Sequence, residues 1–286
     1  DKFLKSQDSG LDVSYKCPKC RRCKDCLKGA GKEKISMQQE AEQEVIKDSV
    51  KIDISSGKAI ASLAFKADPE KHLTDNEFIA VKRLKNVCVK YSKNPELKES
   101  IEKGFQKLID RGHIIPMSEL SPEQREAIDM APTTYTIPWD VGFKESSLST
   151  PARPTFDASS KTSGGYSLND CLAKGDASLI DLVSMVLNWL IGSHAVAGDI
   201  SQFYNTVELD ESHWKYQKVV WYKAMDKLSE LEKGVVRTAI YGVRCVGAQC
   251  EQIMRLLADY FRKDFPAVAD FLERLRYVDD MAKSLT

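Results

Sequence analysis

The chain has 286 residues, 42% of them hydrophobic, which is enough to build a core and predicts a soluble globular protein of one large domain or two ordinary ones. Lys plus Arg equals Asp plus Glu at 42 each, so the global charge neither requires nor excludes an anionic partner, and only local patches can speak for one. No run of about 18 apolar residues occurs, which argues against a spanning helix, and the start "DKFLKSQDSG" lacks the apolar core of a secretory signal, so the expectation is an intracellular protein without membrane contact.

Taken in order, the first landmark is "CPKCRRCKDC", with Cys17, Cys20, Cys23 and Cys26 at uniform spacing. Two Cys-x-x-Cys pairs can turn four thiolates toward one tetrahedral Zn²⁺, and Arg21, Arg22 and Lys24 would lower the thiol pKa values. The two-residue gap between the pairs is shorter than such sites usually have, so free thiols in a basic linker stand beside the zinc reading. Residues 1–33 are therefore read as a Cys-rich basic linker.

Residues 34–130 read as a helical region. "SMQQEAEQEVIKDSV" begins with Ser36 and Gln39 in capping-box spacing, and "KAIASLAF" is strand-like. "TDNEFIAVKRLKNVCVKY" sets Phe78, Val81, Leu84 and Cys88 on one helical face, with Lys82, Arg83, Lys85, Lys90 and Lys93 as a solvated or phosphate-contacting outer face. "NPELKESIEKGFQKLIDRGHI" has Asn94 as cap, Pro95 in the first turn and Gly112 as terminator. "SPEQREAI" is a short helix capped by Ser121.

From residue 131 to 286 the pattern turns to β-type segments, "TTYTIPWDVGFK" and "ARPTFDASS", mixed with helices. "ASLIDLVSMVLNWLIGS" places Leu179, Leu182, Val183, Val186, Leu187 and Leu190 at helical spacing, as expected of a buried helix. "HAVAGDI" is an apolar strand ending on Asp199, "YQKVVWY" is another, and "GAQCEQIMRLLADYFRKDF" is a long amphipathic helix. "LRYVDDMAKSLT" reads as a strand, a tight acidic turn and the start of a returning strand. The plan is α+β with an antiparallel sheet.

The acidic turn carries the chemistry. Adjacent carboxylates such as Asp279 and Asp280 repel, and a fold that gathers them with Asp199 must offset that repulsion with cations. Two solvated carboxylates in a hairpin turn are the plainer alternative. If the sheet sets "AVAGD" beside "LRYV", three carboxylates converge, and such hard oxygen ligands suit Mg²⁺ or Mn²⁺ and phosphoryl-type transfer.

"RYVDD" resembles the Tyr-x-Asp-Asp signature of reverse transcriptases, "GDISQFYN" resembles their motif A, and "YGVRCVGAQ" stands where that family has its motif B loop. With "STPARPTFDASS", "SLNDCL" and the upstream "YKCPKCRRCKDC", the ordered set is similar to the polyproteins of BEL/Pao-type long-terminal-repeat retrotransposons. The resemblance covers nearly the whole chain. It implies reverse-transcriptase-like fingers and a partial palm, and an RNA-directed DNA polymerase acting on an RNA/DNA template-primer and dNTPs.

Position by position, the resemblance implies that Asp199, Asp279 and Asp280 are the catalytic Mg²⁺ ligands. Tyr204 matches the steric gate against a ribose 2′-hydroxyl, with an ordinary core aromatic as its alternative. Arg153 matches the arginine that grips the triphosphate, Lys144 lies near a second such cation, and Gln249 matches a motif B glutamine or is simply a polar residue at a helix start. Six residues follow Asp280, so the resemblance implies a region truncated after "YVDD". Its partners would be other regions of the same polyprotein, and its place a cytoplasmic virus-like particle. A catalytically inactive nucleic-acid-binding remnant is the alternative function.

Overall fold

The computed structural model describes residues 37–143, 152–176 and 182–285. Ser36, Lys144, Leu179 and the cysteine cluster at Cys17, Cys20, Cys23 and Cys26 lie outside the described residues. Packing divides the chain into units 1–42 and 43–286, and the larger unit holds the sheets.

The strands are β1 (Val50–Asp53), β2 (Lys58–Ala61), β3 (Ile114–Pro116), β4 (Trp139–Phe143), β5 (Ala152–Phe156), β6 (His194–Asp199), β7 (Val207–Leu209), β8 (Lys218–Tyr222), β9 (Leu231–Val236), β10 (Arg276–Tyr277) and β11 (Asp280–Leu285). The helices are α1 (Met37–Asp48), α2 (Pro69–His72), α3 (Glu77–Tyr91), α4 (Pro95–Asp110), α5 (Pro122–Asp129), α6 (Leu168–Cys171), α7 (Leu182–Leu190), α8 (Val246–Phe261) and α9 (Pro266–Arg274). The protein is thus mixed α+β, built on small sheets ordered β1-β2-β7, β10-β11-β6, β3-β9-β8 and β4-β5. All pairings in these sheets are antiparallel except β2 with β7.

The expected boundary near residue 130 does not separate two bodies. Strand β2 pairs with β7, and β3 with β9, so both halves share sheets and one core. Asn76 fastens them as well: buried at the start of α3, its amide both donates to the Thr136 carbonyl and accepts from the Thr136 N–H at 2.8 Å. The segment it holds buries Tyr135 and Ile137 completely. Beyond it, Phe105 of α4 packs against Trp139 and Trp221 at ring separations of 5.0 and 5.3 Å.

Helix α4 begins and ends as its sequence dictates. The Asn94 side chain accepts from the Leu97 N–H with Pro95 in the first turn. At the other end Gly112 takes φ +68°, its N–H bonds to Ile109 and that of His113 to Leu108, the two hydrogen bonds of a Schellman cap. Ser121 likewise forms a complete capping box with Gln124.

Several expectations are corrected. Helix α1 stops at Asp48, and "VKID" is a strand that turns back into β2 through "ISSG", with the Asp53 carboxylate accepting from the hydroxyls of Ser55 and Ser56. On α3 the buried face is Ala80, Leu84, Val87, Cys88 and Tyr91, whereas Phe78 is 75% exposed. Arg83 leaves the solvated basic face to pair with Asp157. The helix expected to be buried, α7, exposes Val183 at 65% and Leu190 at 67%, and only Met185 is covered. Periodicity identifies an apolar face without saying what covers it. The returning strand after the acidic turn is longer than a mere start: β11 runs beside β6 for six paired residues.

Candidate active site

Asp199 is the last residue of β6, and β11 places Asp280 directly opposite it. Between β10 and β11 lies a two-residue turn, Val278 and Asp279. A positive φ at the first turn residue alone is the backbone twist that a type II′ hairpin requires. Ile200, just beyond Asp199, donates its N–H to the Asp279 carbonyl at 2.9 Å. The two acidic segments are therefore joined by main chain on both sides of the turn.

Among the described residues, two non-glycines have positive φ: Gln202 at 54° and Val278 at 57°. One lies three residues after Asp199, the other immediately before Asp279. A β-branched residue in that region is strained by about 1–3 kcal/mol, and such strain persists where surrounding structure imposes it, often at functional sites. Gln202 is held by His113, whose Nε2 lies 2.8 Å from the Gln202 side-chain oxygen. The Schellman cap of α4 thus delivers His113 to the loop after Asp199.

Asp199 and Asp279 line one cavity of about 550 Å³. Tyr204 and Arg153 line it too, as do Lys107 and Arg111 from the last turn and cap of α4. Tyr204 stands on a 3-10 turn (Phe203–Thr206) and packs edge-on against Tyr241 at 4.3 Å. Burial first, and then the neighbouring Tyr241, Cys250 and Asp279, push the Tyr204 phenol well above its ordinary range, so the ring is neutral. Tyr241 is raised in the same direction by burial and then by Asp279, with Asp199 contributing.

Of the residues singled out from sequence, Asp199, Asp279, Tyr204 and Arg153 meet at this cavity. Asp280 is not among its lining residues and is exposed. Gln249 does not reach it either: buried in α8, its amide donates to the Ser49 hydroxyl at 2.8 Å and the Ser62 carbonyl at 2.6 Å. Lys107 and Arg111 were missed. They follow the apolar stripe of an ordinary amphipathic helix, and nothing local distinguishes them from a solvated face.

The loop "YGVRC" is positioned by "SLND". Ser167 and Asp170 form a capping box, and Asn169 donates to the Gly242 carbonyl and accepts from the Arg244 N–H, both at 2.8 Å. Gly242 has φ +98°, and a Cβ there would stand 2.1 Å from the Phe156 carbonyl oxygen. Only glycine lets this loop lie against β5 and bring Tyr241 to Tyr204.

Among the described residues, no group of three or more His, Cys, Asp and Glu side chains is gathered to hold a metal ion. Two carboxylates on one cavity nevertheless fit Mg²⁺, which keeps several waters and is commonly bound through one or two carboxylates and substrate phosphates. No helix among the described residues is long and apolar enough to cross a membrane. The chain matches no protein-family model, and no curated protein matches it.

Proposed function

We propose that this chain carries the nucleotide site of an RNA-directed DNA polymerase of the reverse-transcriptase kind, with fingers and a partial palm, from a BEL/Pao-type retrotransposon polyprotein. One observation carries the reading: Asp199 and Asp279, from separate strands, line a single cavity together with Arg153, Lys107, Arg111 and Tyr204. Carboxylates and cations on one cavity match a metal-bound polyphosphate better than they match a neutral ligand.

In this reading Asp199 and Asp279 hold Mg²⁺ or Mn²⁺, with Asp280 beside them. The bound metal supplies activation of a primer 3′-hydroxyl and charge stabilisation at the leaving oxygen. Arg153 grips the triphosphate through its planar guanidinium, while Lys107 and Arg111 add positive charge at the same cavity. Tyr204 bounds the sugar. The protein's contribution is positioning and fixed charge, and template pairing chooses the base.

The test is incorporation of a deoxynucleotide on an RNA-templated DNA primer, dependent on Mg²⁺ and lost in Asp199→Asn and Asp279→Asn. Undiminished incorporation in either variant overturns the reading. A second reading, a nucleic-acid-binding protein without catalysis, is favoured by one feature: all six residues of β6, the strand bearing Asp199, are exposed. Template-primer binding that ignores both Asp substitutions, with no incorporation, would establish it.

A further inference from the structure

Behind the acidic turn lies an ion pair that its stability alone does not explain. Arg276, 5% exposed, donates through Nη1 to Glu251 Oε1 at 2.8 Å and through Nη2 to Oε2 at 2.7 Å, and Glu251 is itself 7% exposed. Arg276 also leaves its buried Nε without a hydrogen-bond partner. A buried pair of this kind is often no more stabilising than two apolar side chains of the same volume, because both charges lose their water. Its geometry is what an apolar pair would not supply.

The third contact shows what the geometry does. Arg276 Nη1 also donates to the Val278 carbonyl, the peptide that leads directly into Asp279. Val278 is the strained residue of the turn, and a strained conformation needs a partner that holds it. The guanidinium lies over the Phe203 ring at 5.8 Å, and Phe203 adjoins Tyr204 on the cavity. Anchored by α8, one side chain touches the segments on both sides of the site.

We propose that Arg276, fixed by Glu251, is a positioning residue that locks the Val278–Asp279 turn so that the Asp279 carboxylate shares a divalent cation with Asp199. The inference rests on the metal-site reading above and adds to it a support that neither carboxylate provides. The pair acts through the main chain and touches no substrate.

Two quantities of the full chain test it: Mn²⁺ affinity by electron paramagnetic resonance, and amide exchange at Ile200, whose N–H is bonded to the Asp279 carbonyl. Asp279→Asn comes first. If it binds Mn²⁺ as the wild type does, the metal reading fails, and the exchange measurement alone decides whether the clamp holds the turn. Arg276→Lys keeps a cation beside Glu251 but cannot both fork that carboxylate and reach Val278; it should bind Mn²⁺ about tenfold more weakly, or worse, with faster exchange at Ile200. Glu251→Leu with Arg276→Met should fold normally and show both losses. Glu251→Gln with Arg276→Gln, which restores an N–H donor near the turn, should recover part of each. Wild-type affinity and wild-type exchange in folded Arg276→Lys overturn the proposal, and this single variant decides the matter if the apolar pair fails to fold.

Discussion

Asp199 and Asp280 stand directly opposite each other across the β6–β11 ladder. Like charges in that relation weaken a sheet, and the carboxylate of Asp279 is one residue away. The arrangement makes sense when a cation is present and works against the fold when it is not. Asp199→Asn should therefore stabilise the metal-free chain slightly, by about 0.2–1 kcal/mol, while removing the rise in melting temperature that Mg²⁺ or Mn²⁺ gives the wild type. Calorimetry with and without the ion checks both halves. A variant that is less stable without metal and keeps the metal-dependent rise would contradict the account.

A second prediction concerns the loop that carries Tyr241. Gly242 has φ +98°, and the Phe156 carbonyl stands where a Cβ would go. Gly242→Ala should lower stability by about 2–4 kcal/mol, read from the midpoint of urea unfolding. Asn169→Ala, which removes the bonds to Gly242 and Arg244 while leaving the backbone conformation possible, should be milder. The order of the two variants is the check, since a loop without strain would be hurt more by losing Asn169.

Much of this plan can be read in the residues, and the omissions have physical causes. Asn94, Pro95 and Gly112 mark α4 because caps are local chemistry. Asp199 and the "VDD" turn could be joined because an apolar strand ending in Asp and a tight acidic turn are both short-range patterns. Strands β3, β7 and β9 escaped because runs as short as "IIP" and "VEL" have too few residues for a period. Gln249 shows the opposite failure: a polar residue at a helix start suggests solvent or ligand, yet distant Ser49 and Ser62 take it into the core. Lys107 and Arg111 gain their meaning from the tertiary course of α4 past β5 and β6, which no local window contains.

Acid should weaken the fold through His213. Burial holds its imidazole below the ordinary 6.5, with Lys215 acting the same way and Asp210 against them. Nδ1 accepts the Leu63 N–H at 2.7 Å, so the folded state needs the neutral ring. Because the unfolded chain takes up the proton at higher pH, the stabilising contribution is present above about 6.5 and is lost as pH falls from there through the depressed folded-state value. The melting temperature should fall between about pH 7.5 and pH 5.5. In His213→Gln, whose side-chain oxygen can still accept from Leu63, the fall should be smaller. His113, also lowered by burial, supplies part of the slope that remains. An identical slope in wild type and variant would remove His213 from the explanation.

The cysteines divide into two chemical classes. Cys88, Cys171, Cys245 and Cys250 are buried and free, and burial pushes three of their thiols up, Cys88 and Cys245 to about 11 and Cys250 to about 12. These should resist alkylation until the protein unfolds. Eight cysteines less these four leaves Cys17, Cys20, Cys23 and Cys26. If that cluster holds Zn²⁺, the native chain should contain about one equivalent and release reactive thiols only after chelation. Immediate reaction of four thiols in metal-free, folded protein would identify the cluster as a plain linker.

Tyr204 offers the sharpest test, because its two possible roles make opposite predictions. As a core aromatic it would be a source of stability, and truncation to Ala would lower stability by about 3–5 kcal/mol. The structure makes it half-buried, on the cavity wall, with one edge against Tyr241 and the neighbouring Phe203 ring at 5.6 Å. A ring so placed restricts what fits beside Asp199 and Asp279. Tyr204→Val should therefore cost less than a full core truncation and should admit a ribose 2′-hydroxyl that the wild type excludes, since exclusion disappears with the excluding atoms. Tyr204→Phe keeps the ring and should keep the discrimination, because the phenol is neutral and steric bulk carries the effect. The measurement is the ratio of dATP to ATP affinity in the presence of Mn²⁺ for wild type, Phe and Val variants, each with its melting temperature. A ratio that falls toward unity in Val alone identifies Tyr204 as the sugar gate. If the ratio is unchanged and the melting temperature collapses, Tyr204 is a packing residue and sugar discrimination must come from another wall of the cavity.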